Sequence, residues 1–348
     1  MNQHTHTAAA TSSTAIIIGR WQIWHKGHET LLTAALNVAA QVIVVIGSAF
    51  KARNMHNPFN AEERQVMILA GLSAQERQRV RFLPVRDYYD DLRWNAAVRA
   101  GIDALTQSRD GPITLVGFKK DHTSYYLDHF PQWQRHDVAQ EFDIDATALR
   151  NVFFDGTAPD ARLAVLQPYV NPAVLDYLQA WSHLGAYAER VREHQTVIAY
   201  RKRWTADCYL TADALLQANG HVLLVRRGGE VGYGQWAVPG GFVDKNERFY
   251  SAAVRELEEE TGFRAFDSTM RQALKNSAVF DHPQRSPRAR IVTQAFHFDL
   301  GAVRLPEVKG ADDALEARWI PVADLAHMED QLFEDHAAIL DRFVGVYR

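Results

Sequence analysis

Residues 241–263 read GFVDKNERFYSAAVRELEEETGF, and the second half of the chain is organised around this stretch. Asn246 is the predicted N-cap of a helix from about Glu247 to Thr261, and Gly262 suits the left-handed position after its last turn. The apolar positions recur at i, i+3, i+4 and i+7, the spacing of one buried helix face: Tyr250, Ala253, Val254 and Leu257.

The predicted helix concentrates negative charge near its C-terminal end, at Glu256, Glu259 and Glu260. The helix dipole disfavours acidic groups there, and like charges at i, i+4 repel by ~0.2–0.5 kcal/mol. A hard divalent cation such as Mg²⁺ or Mn²⁺ would reverse this penalty, because it prefers carboxylate oxygens. The alternative is a solvated acidic face on a surface helix.

The complete spacing resembles the Nudix box. Gly241 and Glu247 are separated by five residues, and seven more lead to Arg255-Glu256-Leu257, followed by Glu259-Glu260 and Gly262-Phe263. The resemblance implies an α+β domain with a mixed sheet and a metal-dependent pyrophosphohydrolase activity. It also implies that Glu256, Glu259 and Glu260 bind the metal and that Glu259 and Glu260 are catalytic; the alternative for Glu259 is to support a ligand without touching the metal. Glu247 and Arg255 are expected to order the helix and its loop.

Length and composition set the other limits. The 348 residues predict two domains, and a net charge of −4 predicts no general attraction to nucleic acid or to a membrane. The single cysteine, Cys208, excludes an intrachain disulfide, is predicted to be buried and suits a cytoplasmic protein. Residues 1–14 lack the features of a signal peptide and are predicted to form a disordered tail. Composition leaves a homo-oligomer open.

The first half alternates short apolar runs with helical patterns. Ala15 to Ile18, Val42 to Ile46, Val80 to Val85 and Ile113 to Val116 are predicted strands with predicted helices between them. This order predicts an α/β domain with a doubly wound, Rossmann-like parallel sheet. Ligands of such sheets bind beyond the carboxyl ends of the strands.

The candidate phosphate-binding residues of the first half follow the first predicted strand. Gly19 is followed by a loop and by His25-Lys26-Gly27-His28 at the start of a helix. Glycine lets a bulky anion approach the backbone, and the free N–H groups of a helix start favour phosphate. Imidazoles add hydrogen-bond donors for phosphate oxygens.

This context resembles the HxGH nucleotidyltransferase superfamily, which transfers a nucleoside monophosphate from a triphosphate. Residues 144–150, IDATALR, resemble its late I-S-x-T-x-x-R motif, with Asp145 in the place of serine. The stretch GRWQIWHKGH at 19–28 is similar to that of the nicotinamide mononucleotide (NMN) adenylyltransferases. Further matches are NPF at 57–59, EER at 62–64, GFKKD at 117–121 and SYY at 124–126. The combination of such a domain with a Nudix domain in one chain resembles the bifunctional NMN adenylyltransferase/Nudix hydrolases.

The resemblance implies the following roles in the first domain. His25, His28 and Arg150 are catalytic and hold ATP phosphates around the transition state. The other predicted contacts to ATP or NMN are Gly19, Arg20, Gly27, Arg53, Gly117, Lys119 and Thr147. Trp94 either stacks on the nicotinamide ring or is a core residue of its helix. Mg²⁺, with Mn²⁺ as an alternative, would bridge the phosphates.

In the Nudix domain the resemblance implies a substrate such as ADP-ribose. The predicted contacts are Gly240, Gly241, Phe280, Arg288 and Arg290. Ordinary charges at the edge of a strand are the alternative for the two arginines. An additional base or metal ligand is expected among Glu307, Asp312 and Asp313, which the sequence does not rank.

The sequence therefore predicts a nucleotidyltransferase domain at 15–195 and a Nudix domain at 196–348, with residues 185–203 as a charged linker. We expect NAD synthesis from NMN and ATP in the first, and ADP-ribose hydrolysis to AMP and ribose 5-phosphate in the second. One alternative keeps both folds but changes the phosphate acceptor, or replaces ADP-ribose with a dinucleoside polyphosphate or NADH. Another is a regulator that senses NAD or ADP-ribose, which predicts a damaged Nudix box.

Overall fold

The structure, a computed structural model, describes residues 12–106, 111–118, 128–140, 142 and 144–347. It divides into two compact units, residues 1–50 with 57–188, and residues 51–56 with 189–348. The sequence-based boundary near residue 195 stays a prediction. In the described residues, no helix combines the length and the apolar character needed to cross a membrane.

The first unit contains a five-stranded parallel sheet in the order β3-β2-β1-β4-β5, so the predicted doubly wound sheet is confirmed. β1 begins three residues before the predicted start at Ala15, and residues 1–11 of the predicted tail lie outside the described residues. The strands are β1 Ser12–Gly19, β2 Ala39–Ile46, β3 Val80–Pro84, β4 Ile113–Gly117 and β5 Gln134–Asp137.

Helices in the first unit connect these strands and follow the last one. They are α1 Lys26–Val38, α2 Ala61–Ala70, α3 Ala74–Arg79, α4 Asp91–Leu105, α5 Ala146–Phe153, α6 Pro159–Leu166 and α7 Pro172–Trp181. Asn171 caps α7 by accepting from the Ala173 amide at 3.0 Å, with Pro172 in the first turn as predicted. Residues 185–203 form one continuous helix, α8 Gly185–Arg203, where the sequence predicted a linker.

The second unit contains a seven-stranded mixed sheet, as predicted, in which β11 and β6 are parallel and the other pairs are antiparallel. Its strands are β6 Tyr209–Ala218, β7 His221–Arg227, β8 Trp236–Ala237, β9 Gly240–Phe242, β10 Leu274–Phe280, β11 Ile291–Asp299 and β12 Ala314–Pro321. Its later helices are α9 Phe249–Thr261, α10 Asp267–Ala273 and α11 His336–Val344.

Alternate residues of β6 point to opposite faces of this sheet, as the period of two requires. Leu216 packs with Leu257 of α9 on one face, whereas Leu215 packs with Ile339 of α11 on the other. These two apolar layers fix α9, and with it the glutamates of the Nudix-like box, against the sheet.

Two further local predictions were wrong. α9 begins at Phe249 with Arg248 at the N-cap, and not at Glu247 after Asn246, because Glu247 instead bonds back to the Asp244 amide. Cys208 is exposed, since it precedes β6 and does not lie within it. Gly262 adopts the predicted left-handed conformation with φ 66°.

Candidate active sites

The first candidate site begins at the N-terminus of α1. His25 has an extended backbone, and its carbonyl oxygen accepts from the His28 amide at 2.8 Å. The two imidazole rings stack with centroids 3.6 Å apart and planes inclined by 23°. A Cβ at Gly27 would lie 3.2 Å from His25 Cε1, which is tighter than an ordinary contact. The glycine therefore lets the ring of His25 turn towards that of His28.

Tryptophans hold this imidazole pair in place. The Trp21 ring meets His28 edge-on at 4.9 Å, and the Trp24 ring lies 5.3 Å from it. Both tryptophans and His25 are buried, and His28 is half-buried. This packing restricts ring rotation, so any donor that the imidazoles present has a fixed direction.

Arg150 and Thr147 lie together on α5. The Arg150 guanidinium donates to the Thr147 hydroxyl at 3.1 Å and to the Gln22 carbonyl. Burial and the nearby charge of Arg20 lower the pKa of Arg150 to about 10, so it remains cationic at neutral pH. Asp145, in the position where the related motif has serine, caps α5 by accepting from the Thr147 amide at 2.8 Å.

Arg64 is a further residue of this site to which the sequence assigned no role. It is fully buried, and its guanidinium donates to the carbonyl oxygens of Arg20, Gly47 and Ser48 at 2.8, 2.7 and 3.2 Å. These carbonyls follow β1 and β2. Arg64 thus joins the two strand ends at which ligands of such sheets bind.

The other predicted residues of this domain are distributed as follows. Gly19 and Gly117 end β1 and β4, which are neighbours in the sheet, and Arg20 is exposed directly after Gly19. Trp94 is half-buried on α4, 6.1 Å from Phe130. Its stacking role therefore stays a prediction.

Two predicted contacts are not located with the others. Lys119 lies outside the described residues, as do residues 120–121 and 124–126 of the quoted motifs. Arg53 belongs to the short segment 51–56 that is part of the second unit. Its carbonyl oxygen accepts from Arg190 there at 2.5 Å, so its phosphate contact stays a prediction.

The second candidate site is a cavity of about 390 Å³ in the second unit. Its most prominent feature is a set of nine carboxylates, which come from β6, α9, the loops after β7 and β9, and the segments before β12 and α11. They are Asp213, Glu230, Asp244, Glu256, Glu259, Glu260, Asp312, Asp313 and Glu334. The three glutamates predicted to bind metal are therefore brought together in one cavity.

Arg255 organises the carboxylates of α9. Its Nη1 donates to Glu256 and to Glu259, each at 2.8 Å, and its Nε and Nη2 form a two-point contact with Glu247 at 3.0 and 2.9 Å. The hydrogen bonds that Arg255 donates to Glu247, the largest contribution, and to Glu256 and Glu259 raise the pKa of Arg255. This geometry supports the prediction that Glu247 and Arg255 order α9 and the loop before it.

Glu260 is the most buried of the three metal candidates, with 6% of its surface exposed. It accepts from the Gly240 amide at 3.0 Å. Burial raises its pKa to about 8, although the Gly240 hydrogen bond and Arg227 oppose the rise. Burial also raises the pKa of Glu256 and brings that of Asp213 to about 6.

This donor set fits a hard divalent cation. The donor oxygens belong to carboxylates, which such a cation prefers. Burial is the main reason that the pKa values of Glu256 and Glu260 are raised, and a bound cation would favour their ionised forms. In the described part of the chain, no three His, Cys, Asp or Glu side chains already converge as metal ligands. To bind a cation, Glu256 and Glu259 would therefore have to turn away from Arg255, which now donates to both.

The two glycines before α9 make room for this arrangement. A Cβ at Gly241 would lie 2.4 Å from Glu256 Oε1, and one at Gly240 would lie 2.2 Å from Asp213 Oδ1. Both glycines line the cavity. A methyl group at Gly241 would displace the Glu256 carboxylate, and one at Gly240 would also clash with the backbone of Ala212 and Asp213.

The predicted substrate contacts differ in position. Arg288 lines the cavity, 5.4 Å over the Phe333 ring. Arg290 lines a neighbouring cavity, and Phe280 is buried in the core beside α11. Of the later acidic candidates, Asp312 and Asp313 line the carboxylate cavity, whereas Glu307 does not.

Arg227 and His336 are two of the cavity residues that sequence reasoning missed. Arg227 lies 4.0 Å over the Phe333 ring and donates through Nε to the Val231 carbonyl, and within the described residues it has no ion-pair partner. His336 is buried and accepts from the Val238 amide through Nδ1 at 2.9 Å. Both lie outside the Nudix-like box, and neither has a sequence pattern around it.

Comparisons with known proteins agree with both halves of this description. The NUDIX domain family matches residues 201–343, and the cytidylyltransferase-like family matches residues 16–91. The nicotinamide/nicotinic acid mononucleotide adenylyltransferase of Acinetobacter baylyi is 34% identical over 170 residues, which cover 47% of this chain and 90% of that protein. The ADP-ribose pyrophosphatase of Methanocaldococcus jannaschii is 29% identical over 136 residues, covering 39% and 72%.

One solved structure matches the whole chain. It is a bifunctional NMN adenylyltransferase/ADP ribose pyrophosphatase from Francisella tularensis, 30% identical, with a TM-score of 0.87, covering 96% of this chain and 98% of that one. The same protein has been solved in complex with AMP and a manganese ion.

Fold and sites together define a two-domain enzyme, a nucleotidyltransferase joined to a Nudix hydrolase. The chain belongs to the family of bifunctional NMN adenylyltransferase/ADP-ribose pyrophosphatases. Since the chain is an enzyme with an intact Nudix box, the regulator alternative is set aside.

Proposed function

We propose that this protein acts in NAD metabolism through two separate reactions. The first unit transfers the adenylyl group of ATP to NMN, giving NAD and pyrophosphate. The second unit hydrolyses ADP-ribose to AMP and ribose 5-phosphate. The observation that carries the proposal is the whole-chain similarity to the Francisella tularensis enzyme, supported by an imidazole pair in one unit and a carboxylate cavity in the other.

In the first unit, a phosphate oxygen of NMN attacks the α-phosphorus of ATP, and pyrophosphate leaves. The reaction needs positioning and stabilisation of negative charge more than covalent help from the protein. His25 and His28 donate to the ATP phosphates, and the positive end of the α1 dipole favours the negative charge there. The buried, cationic Arg150 holds the β- and γ-phosphates together with Thr147.

Other residues of the first unit prepare this site. Arg64 fixes the ends of β1 and β2 through three backbone carbonyls, so that Gly19, Arg20 and Gly47 keep a constant position relative to the imidazoles. Trp94 would stack on the cationic nicotinamide ring.

In the second unit, Glu256, Glu259 and Glu260 would hold Mg²⁺ or Mn²⁺ against the pyrophosphate. The metal supplies charge neutralisation and a more acidic water. Gly240 keeps the Glu260 carboxylate in place through its amide, and Arg255 positions Glu256 and Glu259 before the substrate arrives. Asp312 and Asp313 line the cavity from the opposite loop and are the candidates to accept a proton from water.

The cations of the cavity would bind the substrate itself. Arg227 has no carboxylate partner among the described residues, and its guanidinium carbon lies 4.0 Å from the centroid of the Phe333 ring. This leaves its donors available for a phosphate oxygen. Arg288 would contact the terminal ribose or phosphate, as the sequence predicts.

A substrate screen tests this proposal. NMN, nicotinic acid mononucleotide and phosphopantetheine are each supplied with ATP, and pyrophosphate release is followed. ADP-ribose, NADH and diadenosine tetraphosphate are each supplied with Mg²⁺ or Mn²⁺, and AMP or other mononucleotide release is followed. The highest kcat/KM is expected for NMN and for ADP-ribose, and preference for another member of either group would replace that half of the proposal.

A further inference from the structure

A second cavity, of about 410 Å³, adjoins the carboxylate cavity in the same unit. The two cavities share the side chains of Trp204 and Arg288 as a common wall. The second cavity is more open, and its remaining wall is formed by the C-terminal part of α8, by His56 and by the loop between β10 and β11. A ligand lying across Trp204 would therefore reach both.

The charges of the two cavities are opposite. The second is lined by four basic side chains, His56, Arg201, Arg288 and Arg290, and none of its lining residues is acidic. The first contains nine carboxylates. This separation gives one end of the combined groove an affinity for a cation and the other end an affinity for an anion.

The arginines of the second cavity are fixed mainly by neutral acceptors. Arg201 Nε donates to the Pro287 carbonyl at 3.0 Å, and Arg290 donates to the Asp281 carbonyl. In the described residues, neither Arg201 nor Arg290 forms an ion pair. Their orientation is thus set without neutralising their charge.

Arg288 differs from Arg201 and Arg290 because it has a carboxylate partner. Its Nε donates to the Ser286 hydroxyl at 3.2 Å, and its Nη2 lies 3.4 Å from Glu334 Oε2. Its guanidinium carbon is 5.9 Å from the centroid of the Trp204 ring. Arg288 therefore lies where the two cavities meet.

We infer that the second cavity is a subsite for a phosphate monoester, separate from the pyrophosphate that the first cavity receives. Planar guanidinium groups without carboxylate partners bind a phosphate dianion through paired, charge-assisted hydrogen bonds. This inference rests on the proposed hydrolase function of the second unit and adds a substrate class to it. The phosphate belongs either to the substrate, as on the 2′-oxygen of a phosphorylated ADP-ribose, or to free inorganic phosphate.

The test compares ADP-ribose with ADP-ribose 2′-phosphate as substrates of the full-length enzyme. Wild type is expected to show a kcat/KM about tenfold higher for the phosphorylated substrate, because its 2′-phosphate gains charge-assisted hydrogen bonds from the arginines of the second cavity. Arg201→Gln should remove that preference and leave ADP-ribose hydrolysis unchanged. Arg203→Gln is the matched control, since Arg203 is on the same helix, stacks on Tyr200 and does not line the cavity.

Inorganic phosphate separates the two sources. If free phosphate is the ligand, millimolar phosphate will change ADP-ribose hydrolysis in wild type but not in Arg201→Gln, and the 2′-phosphate will bring no advantage. The subsite is refuted if neither the substrate preference nor the phosphate effect depends on Arg201.

Failure of the proposed function gives a different result. An enzyme that cleaves neither ADP-ribose substrate is titrated calorimetrically with adenosine 2′,5′-bisphosphate and with AMP, in a His28→Ala background that disables the other nucleotide site. Tighter binding of the bisphosphate that is lost in Arg201→Gln would support the subsite without any hydrolysis. Equal binding of the two nucleotides would overturn it.

Discussion

The imidazole rings of His25 and His28 stack at 3.6 Å across Gly27, whose missing side chain leaves room for the ring of His25. The spacing of the HxGH motif is therefore a steric requirement as well as a pattern. Both rings lie at the N-terminus of α1, where the helix dipole favours an anion such as phosphate.

Gly27→Ala should reduce adenylyl transfer by roughly 10–100-fold, because a displaced His25 ring misaligns the phosphates. The methyl group would lie 3.2 Å from His25 Cε1 and push the ring away. NAD formation from NMN and ATP measures the loss. Gly185→Ala is the control, since nothing lies within 4 Å of a Cβ there, and equal activity of the two variants would argue against a catalytic role for the stack.

Gly241→Ala should have the corresponding effect on the second unit. Its methyl group would lie 2.4 Å from Glu256 Oε1, and the flexible carboxylate would move before the backbone does. We expect AMP release from ADP-ribose to fall by about tenfold or more, with NAD synthesis and thermal stability close to wild type. An unchanged rate would show that Glu256 does not have to be in its present position.

Arg64→Lys should raise the KM for ATP by roughly tenfold, because lysine keeps the charge but lacks the fork that joins three carbonyls. Steady-state kinetics with ATP and NMN varied separately measure this change. Arg79→Lys is a matched control, since Arg79 also donates to three backbone carbonyls, but around the start of β2. If both variants alter the KM for ATP equally, Arg64 has only a structural role.

His336 makes the second unit sensitive to acid. Burial lowers the pKa of His336 to about 3, whereas an unfolded histidine titrates near 6.5. The unfolded state therefore binds the proton first, so this contribution to stability is complete above pH 6.5 and is lost as the pH falls from 6.5 towards 3. Between pH 7.5 and 5.5 the loss is about 1.4 kcal/mol.

His336→Asn removes that titration while keeping an acceptor for the Val238 amide. Hydrogen exchange of α11, corrected for the intrinsic rate at each pH, should lose less protection on acidification in the variant than in wild type. Parallel pH profiles for the two proteins would assign the acid sensitivity to other groups.

The sequence predicted those elements of the fold that are specified by residues close together in the chain. Runs such as Ile16 to Ile18 are apolar on both faces and predict buried parallel strands, and the period of the box predicts α9. The start of α9 was wrong because Glu247 bonds to Asp244 and Arg255, and both contacts depend on how the preceding loop folds back.

Site residues divide in the same way. His25, His28, Glu256 and Glu260 were found because each lies in a spaced motif. Arg227 and His336 were missed because the residues they contact, Phe333 and Val238, are distant in the sequence. Arg64 lies in the EER match at 62–64, but its role depends on carbonyls that are also distant in the sequence. No local pattern records such contacts. The α8 helix was also missed, since its charged sequence resembles that of a linker.

The central claim, that one chain contains two independent phosphate chemistries, is tested most directly by two substitutions measured in two assays. NAD formation from NMN and ATP and AMP release from ADP-ribose are followed in parallel for wild type, His28→Ala and Glu260→Gln. We expect His28→Ala to lose adenylyl transfer by ~100-fold or more and to keep hydrolysis, and Glu260→Gln to do the reverse. Near wild-type NAD synthesis in His28→Ala, or loss of both activities in either variant, would contradict the account.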